Sequence, residues 1–310
     1  MKTLTICLPT YNRSNFVIEQ LEFLKEDFRN FKDLIEIYVS DNNSDLEHRI
    51  ALEKYANQNF FFTLTYQEKN CGLIGNMHYL LSQVQTKYVW FVGDDDVLLP
   101  NVVERLINIL TKNGVLNFIF FNHCGFVDVS SNIVSKLDLI GYADKVINGK
   151  ECIMNLFKAN FTSLMFITAC VYNVSVLKHY FDGNDEEKHI EDPLLYSLVC
   201  ASSGPIYIEN EVFVLDRYAN ATWKSSSSKI FGWGVPNAII RALNFGFSTK
   251  EVRYMLHLYY MRFISSYLRM ILSSPFRDKL NIIYFLGTRN MSLIGKSSKF
   301  LIQNIFVKNN

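Results

Sequence analysis

The stretch VWFVGDDDVLLP, residues 89–100, passes from apolar residues directly into three consecutive carboxylates. These carboxylates belong to Asp94, Asp95 and Asp96. Adjacent like charges repel one another, so a strand that ends in three of them needs a partner that neutralises part of the charge. Water, the N-terminus of a helix that begins near Pro100, and a metal ion are the candidates. Which of them applies depends on the fold around the stretch.

Strand-like and helix-like segments alternate on both sides of this stretch over the first 125 residues. Apolar and β-branched runs predict strands at 4–9, 34–40, 61–67, 87–93 and 116–121. Helical spacing of apolar residues predicts helices between them, and a longer helical region follows residue 230. The pattern indicates an α/β fold with a mostly parallel, Rossmann-like sheet flanked by helices and a C-terminal helical extension.

Polar side chains follow three of the predicted strands. They form the clusters Thr10 to Arg13, Asp41 to Asp45, and Asp94 to Asp96. Because ligands of parallel α/β sheets bind at the carboxyl ends of the strands, we expect these clusters to meet in one crevice. Neither a G-x-G-x-x-G nor a G-x-x-x-x-G-K-[ST] motif occurs, which argues against the common NAD and P-loop sites.

A divalent cation explains the aspartate cluster better than a helix cap does. Mg²⁺ and Mn²⁺ take one or two protein carboxylates and complete their octahedron with phosphate oxygens and water. A cap of the following helix needs one aspartate rather than three. At the end of the second strand, Asp41 could accept hydrogen bonds from a nucleobase or a ribose hydroxyl. The residues from Ser44 to Glu47 have the form of a capping box that begins a helix.

The composition argues against several other classes of protein. The six cysteines are scattered without a C-x-x-C pair, which disfavours a zinc or redox site. No apolar run has the character of a signal-peptide core or a membrane span. The net charge is +1, but residues 241–310 carry eleven Lys and Arg against two acidic residues. This basic segment could bind nucleic acid, form a dimer or dock on anionic lipid, and no recognised nucleic-acid motif accompanies it.

Four motifs, taken in order, resemble the family 2 glycosyltransferases of the GT-A fold. They are LPTYNR (8–13), VSDNNSD (39–45), NCGLIGN (70–76) and VWFVGDDDVLLP (89–100). The resemblance covers residues 1–125 strongly and the next hundred more loosely, and it is closest to the abequosyltransferase-like branch of bacterial surface polysaccharide enzymes. It implies an inverting transfer of a sugar from a nucleotide-diphosphate sugar, first of all a UDP-sugar, to a hydroxyl of a glycan acceptor, with Mn²⁺ or Mg²⁺ bound. The absence of a Q-x-x-R-W motif favours a non-processive enzyme.

The resemblance also assigns site residues position by position. The residues expected to bind the nucleotide-sugar are Pro9, Thr10, Tyr11, Arg13, Asp41, Asn70, Gly72, Asn76, Asp94, Asp95 and Arg217. The metal is expected at Asp96, paired with Asp94 or Asp95. Many members carry an Asp where Gly93 stands when the Leu-Leu-Pro residues are aligned, which would select Asp95 and Asp96. Counting Asp-x-Asp directly selects Asp94 and Asp96, so only Asp96 belongs to both pairs.

An inverting transfer needs a base that takes the proton of the acceptor hydroxyl. Enzymes of the resembled type place an Asp or a Glu-Asp pair about a hundred residues after the metal motif. Glu191 and Asp192 fit that distance, with Asp192 as the first choice. The alternative is that the acidic run around them is a solvated loop.

We therefore expect a glycosyltransferase domain over residues 1–230 and a basic amphipathic helical extension over 231–310. Within the domain, residues 1–125 form the nucleotide-sugar half and 126–230 the acceptor half. The acceptor is expected to be linked to polyprenyl diphosphate, and the protein to be cytoplasmic and peripheral on the inner face of the cytoplasmic membrane. An anionic membrane surface and a second copy of the chain, bound through the C-terminal helices, are further expected partners, and nucleic acid is not.

Two rival functions rest on the same residues. A sugar nucleotidyltransferase shares the carboxylates at strand ends, but it would carry a Gly-rich basic loop after the first strand, where LPTYNR stands. A non-catalytic carbohydrate-binding module on the same fold would not need both the aspartate cluster and the Glu191-Asp192 pair.

Overall fold

The structure is a computed structural model that describes residues 2–126, 146–182, 189–217 and 227–273. The chain divides into two compact units. The first comprises Met1–Lys188 and Val199–Ala221, and the second comprises His189–Leu198 and Thr222–Asn310. Each unit is described by itself.

The first unit is built on a mixed sheet. Within the described residues its strands are β1 (Leu4–Thr10), β2 (Ile35–Asp41), β3 (Thr63–Tyr66), β4 (Tyr88–Phe91), β5 (Val97–Leu98), β6 (Phe118–Phe126), β7 (Val146–Asn148), β8 (Cys170–Asn173) and β9 (Pro205–Arg217). Their order is β3-β2-β1-β4-β8-β6-β9-β5, with β7 paired to β9. Strands β1, β2, β3 and β4 are parallel, and β6 and β9 share their direction because β8 pairs antiparallel with both β4 and β6. The prediction of a mostly parallel sheet is confirmed.

Helices occur in both units. In the described part of the chain they are α1 (Ser14–Phe31), α2 (Leu46–Ala56), α3 (Gly72–Gln83), α4 (Val102–Lys112), α5 (Gly149–Asn160), α6 (Val174–Asp182), α7 (Asp192–Ser202), α8 (Ser227–Lys229), α9 (Val235–Arg241) and α10 (Thr249–Ser273). All seven residues of β1 are buried, as expected for a central strand covered on both faces. Helix α1 buries Val17, Leu21 and Leu24, which share one face, in the core under the sheet.

The parallel strands bring the predicted clusters to one edge of the sheet. Thr10, the last residue of β1, stands opposite Asp41, the last residue of β2. Strand β4 pairs with the other side of β1 and leads directly to Asp94. Strand β8 runs in the opposite direction, so its beginning rather than its end lies at this edge. The expectation that the strand ends meet is confirmed for the loops after β1 and β4, whose side chains are in direct contact.

The second unit is helical in its described part. It contains the first residues of α7, then α8, a π-helical turn at Ile230–Gly234, α9 and α10. Helix α10 begins with a capping box, in which the backbone N–H and hydroxyl of Ser248 both donate to Glu251 at 2.7 Å. None of the described helices is long and apolar enough to span a membrane. Of the predicted extension over 231–310, the part after Ser273 lies outside the described residues.

Candidate active site

The loop after β1 supplies a partner for the aspartate cluster. The Thr10 hydroxyl donates to Oδ2 of Asp94 at 2.8 Å, and Nη1 of Arg13 donates to Oδ1 of the same carboxylate at 3.0 Å. The same Nη1 lies 2.7 Å from Oδ2 of Asp95. One arginine therefore neutralises part of the charge of two consecutive aspartates. Arginine was not among the neutralising partners considered from the sequence.

Asp96 is held by a different set of contacts. It is buried, and its Oδ2 accepts a hydrogen bond from the hydroxyl of Thr168, just before β8. The oxygen of that hydroxyl accepts the backbone N–H of Gly93 at 2.8 Å. The side-chain amide of Gln20 in α1 donates to the backbone carbonyl of Asp96. Among the described residues, no donor contacts Oδ1 of Asp96, so this oxygen is available to a ligand.

The position of Gly93 has a steric reason. A Cβ atom at residue 93 would lie 2.5 Å from Oδ2 of Asp96 and 3.3 Å from the Thr168 hydroxyl oxygen. Both distances are shorter than ordinary van der Waals contacts, so an aspartate at this position would displace Asp96. The absence of a side chain at Gly93 therefore leaves room for the buried carboxylate of Asp96.

Burial and mutual repulsion disfavour the charged forms of these carboxylates. Burial raises the pKa of Asp94 to about 6, although Arg13 opposes the shift. Burial also raises the pKa of Asp96 well above its usual value, and the charge of Asp216 adds to the rise. Asp216 itself has its pKa raised to about 6 by burial and by the charge of Asp95. A cation bound beside these aspartates would favour their charged forms.

Asp216 and Thr168 were not predicted to belong to the site. Asp216 precedes Arg217 at the end of β9, and its only sequence signal was a place at the end of a strand-like run. Thr168 lies in a short 3₁₀ turn, Ile167–Ala169, just before β8. Neither residue belongs to a motif, so no local pattern marks it.

Arg217 lies close to the aspartates. Its guanidinium carbon lies 5.1 Å from the ring centroid of Phe16 in α1, a cation–π distance. Arg217 and Phe16 line a cavity of about 70 Å³ together with Asp94, Asp96 and Gln20. The predicted association of Arg217 with the strand-end site is therefore compatible with its position.

At the end of β2, Asp41 is fully buried and already bonded. Its carboxylate accepts the hydroxyl and backbone N–H of Ser44, and its Oδ2 lies 3.3 Å from Nε of Arg49. Arg49 also stacks over the ring of Tyr66 at 4.8 Å. The predicted capping box from Ser44 to Glu47 is wrong, because α2 begins at Leu46 and the Ser44 hydroxyl donates to Asp41 instead.

The remaining predicted residues of the nucleotide-sugar site lie around the end of β2. Asn70 accepts hydrogen bonds from Asn42 at 3.1 Å and from the backbone of Gly72 at 2.9 Å. Gly72 has a φ of +72°, a conformation that favours glycine. Asn76 donates to the carbonyl of Ser40 at 2.9 Å.

In the first loop, Pro9 is buried within β1, whereas Tyr11 is 44% exposed. The Tyr11 side chain is therefore accessible to a ligand, and Pro9 can act only through its backbone and packing.

Glu191 and Asp192 lie in the second unit. Asp192 begins α7, where its Oδ2 accepts the backbone N–H of His189 at 3.0 Å and its Oδ1 lies 2.8 Å from Nη1 of Arg241. Both acids are buried, at 5% and 3% exposure, and burial raises the pKa of each. The alternative of a solvated loop is therefore wrong for these two residues. Residues 183–188 of the same acidic run lie outside the described part of the chain.

The carboxylates of the aspartate cluster meet the requirements of a metal site only in part. No group of three His, Cys, Asp or Glu side chains among the described residues is arranged to hold a metal ion. Asp94 has both oxygens bonded to Thr10 and Arg13, whereas Asp96 has one oxygen without a protein donor in the described structure. These residues suit a cation that takes one or two protein carboxylates and finds its other ligands on a diphosphate.

Comparison with known proteins gives a family match and several relatives. The model of the family described as glycosyl transferase family 2 matches residues 5–181. A GalNAc(5)-diNAcBac-PP-undecaprenol beta-1,3-glucosyltransferase of Campylobacter jejuni is 26% identical over 169 residues, which are 53% of this chain and 52% of that protein. An uncharacterized glycosyltransferase of Rickettsia typhi is 28% identical over 123 residues, 39% of this chain and 36% of the relative. The match thus spans between 17% and 52% of the length of the curated relatives.

Solved structures share the fold over nearly the whole chain. Staphylococcus aureus TarS 1-349 in complex with UDP-GlcNAc has a TM-score of 0.70 at 17% identity, covering 96% of this chain and 83% of that one. The mannosyltransferase PcManGT of Pyrobaculum calidifontis, in complex with GDP-Man and Mn²⁺, has a TM-score of 0.57 at 13% identity, covering 99% and 80%. Because the family model matches more than half of the chain and the fold agrees, this protein belongs to glycosyl transferase family 2 and has the GT-A fold.

Proposed function

We propose that the protein transfers one sugar at a time from a nucleotide-diphosphate sugar to a hydroxyl of a glycan acceptor, with inversion and with a divalent cation bound. The observation that carries the proposal is the group of four aspartates at the strand ends, with Arg13 and Arg217 beside them. Carboxylates bind a cation, and arginines bind phosphate oxygens, so this combination suits a metal diphosphate.

The donor would lie along the loops after β1, β2 and β4. Tyr11 is exposed for contact with the base, and Asp41, buried against Ser44 and Arg49, would support the donor site by fixing the loop after β2. A UDP-sugar is the first candidate. TarS has been solved with UDP-GlcNAc and PcManGT with GDP-Man, so proteins of this fold take more than one nucleotide.

Mn²⁺ or Mg²⁺ would be held by Asp96, together with Asp94 or Asp95. When bound, it would neutralise charge on the departing diphosphate. Thr168 fixes the direction of the Asp96 carboxylate, and Arg13 holds the other two aspartates in place. Arg217 could bind the diphosphate through both arms of its guanidinium.

The base for the acceptor hydroxyl would come from the Glu191-Asp192 pair, with Asp192 first. Arg241 and the His189 N–H orient the Asp192 carboxylate, yet each of its oxygens keeps a second lone pair. As the acceptor oxygen bonds to the anomeric carbon, its proton passes to the carboxylate and the bond from that carbon to the diphosphate oxygen breaks. Attack on the face opposite the leaving group inverts the configuration at that carbon.

The acceptor is proposed to be a glycan on polyprenyl diphosphate. Support comes from the Campylobacter relative, whose name specifies an undecaprenol-linked acceptor. A cytoplasmic enzyme that sits peripherally on the inner membrane face, through its basic C-terminal residues, would meet such an acceptor. The family assignment stands against both rivals, the nucleotidyltransferase and the non-catalytic module.

A thermal-shift screen of nucleotide-sugars tests the proposal. A ligand at 100 times its Kd raises the free energy of unfolding by about 2.7 kcal/mol, so the true donor should give a clear shift with Mn²⁺. EDTA and the Asp96→Ala variant should both reduce that shift. Asp192→Asn should keep the shift but abolish sugar transfer. A donor shift that is equal with EDTA and with Mn²⁺ would contradict the metal assignment, and normal turnover by Asp192→Asn would exclude it as the base.

A further inference from the structure

A π-helical turn in the second unit faces the proposed base. The turn, Ile230–Gly234, lies between α8 and α9 and has the sequence IFGWG. Such turns insert one extra residue into a helix and are frequent at functional sites. The Tyr259 hydroxyl of α10 donates to the carbonyl of Phe231, which fixes the turn to the neighbouring helix.

Gly234, the last residue of this turn, lies directly against Glu191. A Cβ atom at residue 234 would lie 2.6 Å from Cδ of Glu191 and 2.7 and 2.8 Å from its two carboxyl oxygens. These distances are far shorter than van der Waals contacts, so a side chain at residue 234 and the present position of the Glu191 carboxyl exclude each other.

The backbone conformation does not require glycine at residue 234. Its φ and ψ are both −59°, which is the right-handed helical region that any residue adopts. Glycine is also a poor helix former, because it has more conformational freedom to lose. The close approach of Glu191 is therefore the physical reason for glycine at this position.

Glu191 and Asp192 are held by different means. Asp192 has two firm partners, the His189 N–H and Arg241. For the Glu191 carboxyl, the described residues provide no hydrogen-bond donor from another residue, and the bare backbone of Gly234 forms the wall behind it. The orientation of Glu191 therefore depends on the shape of its surroundings, together with the nearby charge of Arg241.

We propose that Gly234 is a positioning residue for glycosyl transfer. The π-turn brings its backbone against Glu191, and the missing side chain lets the carboxyl lie beside Asp192. This inference rests on the proposed function, in which that pair receives the acceptor proton.

The Gly234→Ala variant tests this inference. The Glu191 carboxyl is the end of a flexible side chain, so it should swing aside before the backbone moves. A displacement of about 1 Å at a catalytic group can cost about 100-fold in rate, so we expect kcat to fall at least tenfold. The KM for the donor should stay within twofold. Gly114→Ala is the matched control, because a Cβ at residue 114 meets no atom within 4 Å.

A double-mutant cycle separates positioning from simple packing. In a Glu191→Gln background the side chain still fills the space, so Gly234→Ala should lower the melting temperature as it does in the wild type. In a Glu191→Ala background, Gly234→Ala should no longer lower the melting temperature, because the clash is gone. The rate loss from Gly234→Ala should likewise be absent in the Glu191→Ala background.

The outcomes distinguish a failure of the Gly234–Glu191 contact from a failure of the proposed function. Equal melting-point losses in the wild-type and Glu191→Ala backgrounds would overturn the contact, and an unchanged kcat in Gly234→Ala would overturn the positioning role. If the wild type transfers no sugar while the melting temperatures are coupled, the proposed function fails and the contact stands.

Discussion

Replacing Thr168 with valine removes one hydroxyl and keeps nearly the same shape. In the structure that hydroxyl donates to Oδ2 of Asp96 and accepts the N–H of Gly93, and Thr168 is fully buried. A hydrogen bond to a charged group contributes about 1.5–3 kcal/mol to the free energy of unfolding. The variant should lose at least that much, because the Gly93 N–H also becomes unpaired. Removing a residue that orients a metal ligand typically weakens metal binding by about 10–100-fold.

Calorimetric titration of Mn²⁺ in the presence of UDP measures this effect directly, and sugar transfer need not occur. Thr168→Ser restores the hydroxyl and should bring the Mn²⁺ affinity back close to that of the wild type. Binding of the nucleotide in EDTA should change little in either variant. If Thr168→Val binds Mn²⁺ within twofold of the wild type, Thr168 does not position Asp96, or Asp96 does not bind the metal.

Two further predictions concern stability and membrane binding. Burial lowers the pKa of His123 to about 4, below its unfolded value near 6.5, so stability from the neutral ring is present above pH 6.5 and is lost as the pH falls towards 4. Between pH 7 and pH 4.5, His123→Phe should remove about 2.4 kcal/mol of this acid sensitivity, measured by urea unfolding. An unchanged difference in the free energy of unfolding between the two pH values would refute it. The exposed face of α10 carries Lys250 and Arg253, so flotation with anionic vesicles should recover the protein and the double change of both to Glu should weaken recovery. Equal recovery on neutral vesicles would contradict a charge-dependent membrane contact.

The central part of the fold could be predicted because it depends on local patterns. Runs of β-branched residues define the strands, and parallel strands place Thr10 and Asp94 at one edge whatever the details of the loops. The partner of the aspartates could not be predicted in the same way. Arg13 reaches Asp94 and Asp95 only because of the path of one loop, and no spacing rule encodes that path.

Two further features were not predicted correctly because they depend on contacts outside the local sequence pattern. Thr168 meets Asp96 across 72 positions because β8 is inserted, reversed, beside β4. The capping box predicted at Ser44 failed because a nearby carboxylate, Asp41, competes for the serine hydroxyl. In contrast, the Glu191-Asp192 pair was predicted from the family resemblance and its distance from the aspartate cluster, although the burial of Glu191 against Gly234 was not foreseen.

The reversed strand β8 limits how far the chain can be divided into exchangeable parts. In the described sheet, β6 belongs to the first 126 residues, but its neighbours β8 and β9 both come from later in the chain. A chimera joined near residue 125 would make β6 of one parent pair with strands of another, and it would replace Thr168 behind Asp96. The proposed donor and acceptor halves therefore cannot be exchanged at that junction without disrupting the sheet, and recombination has to respect strand pairing rather than chain order.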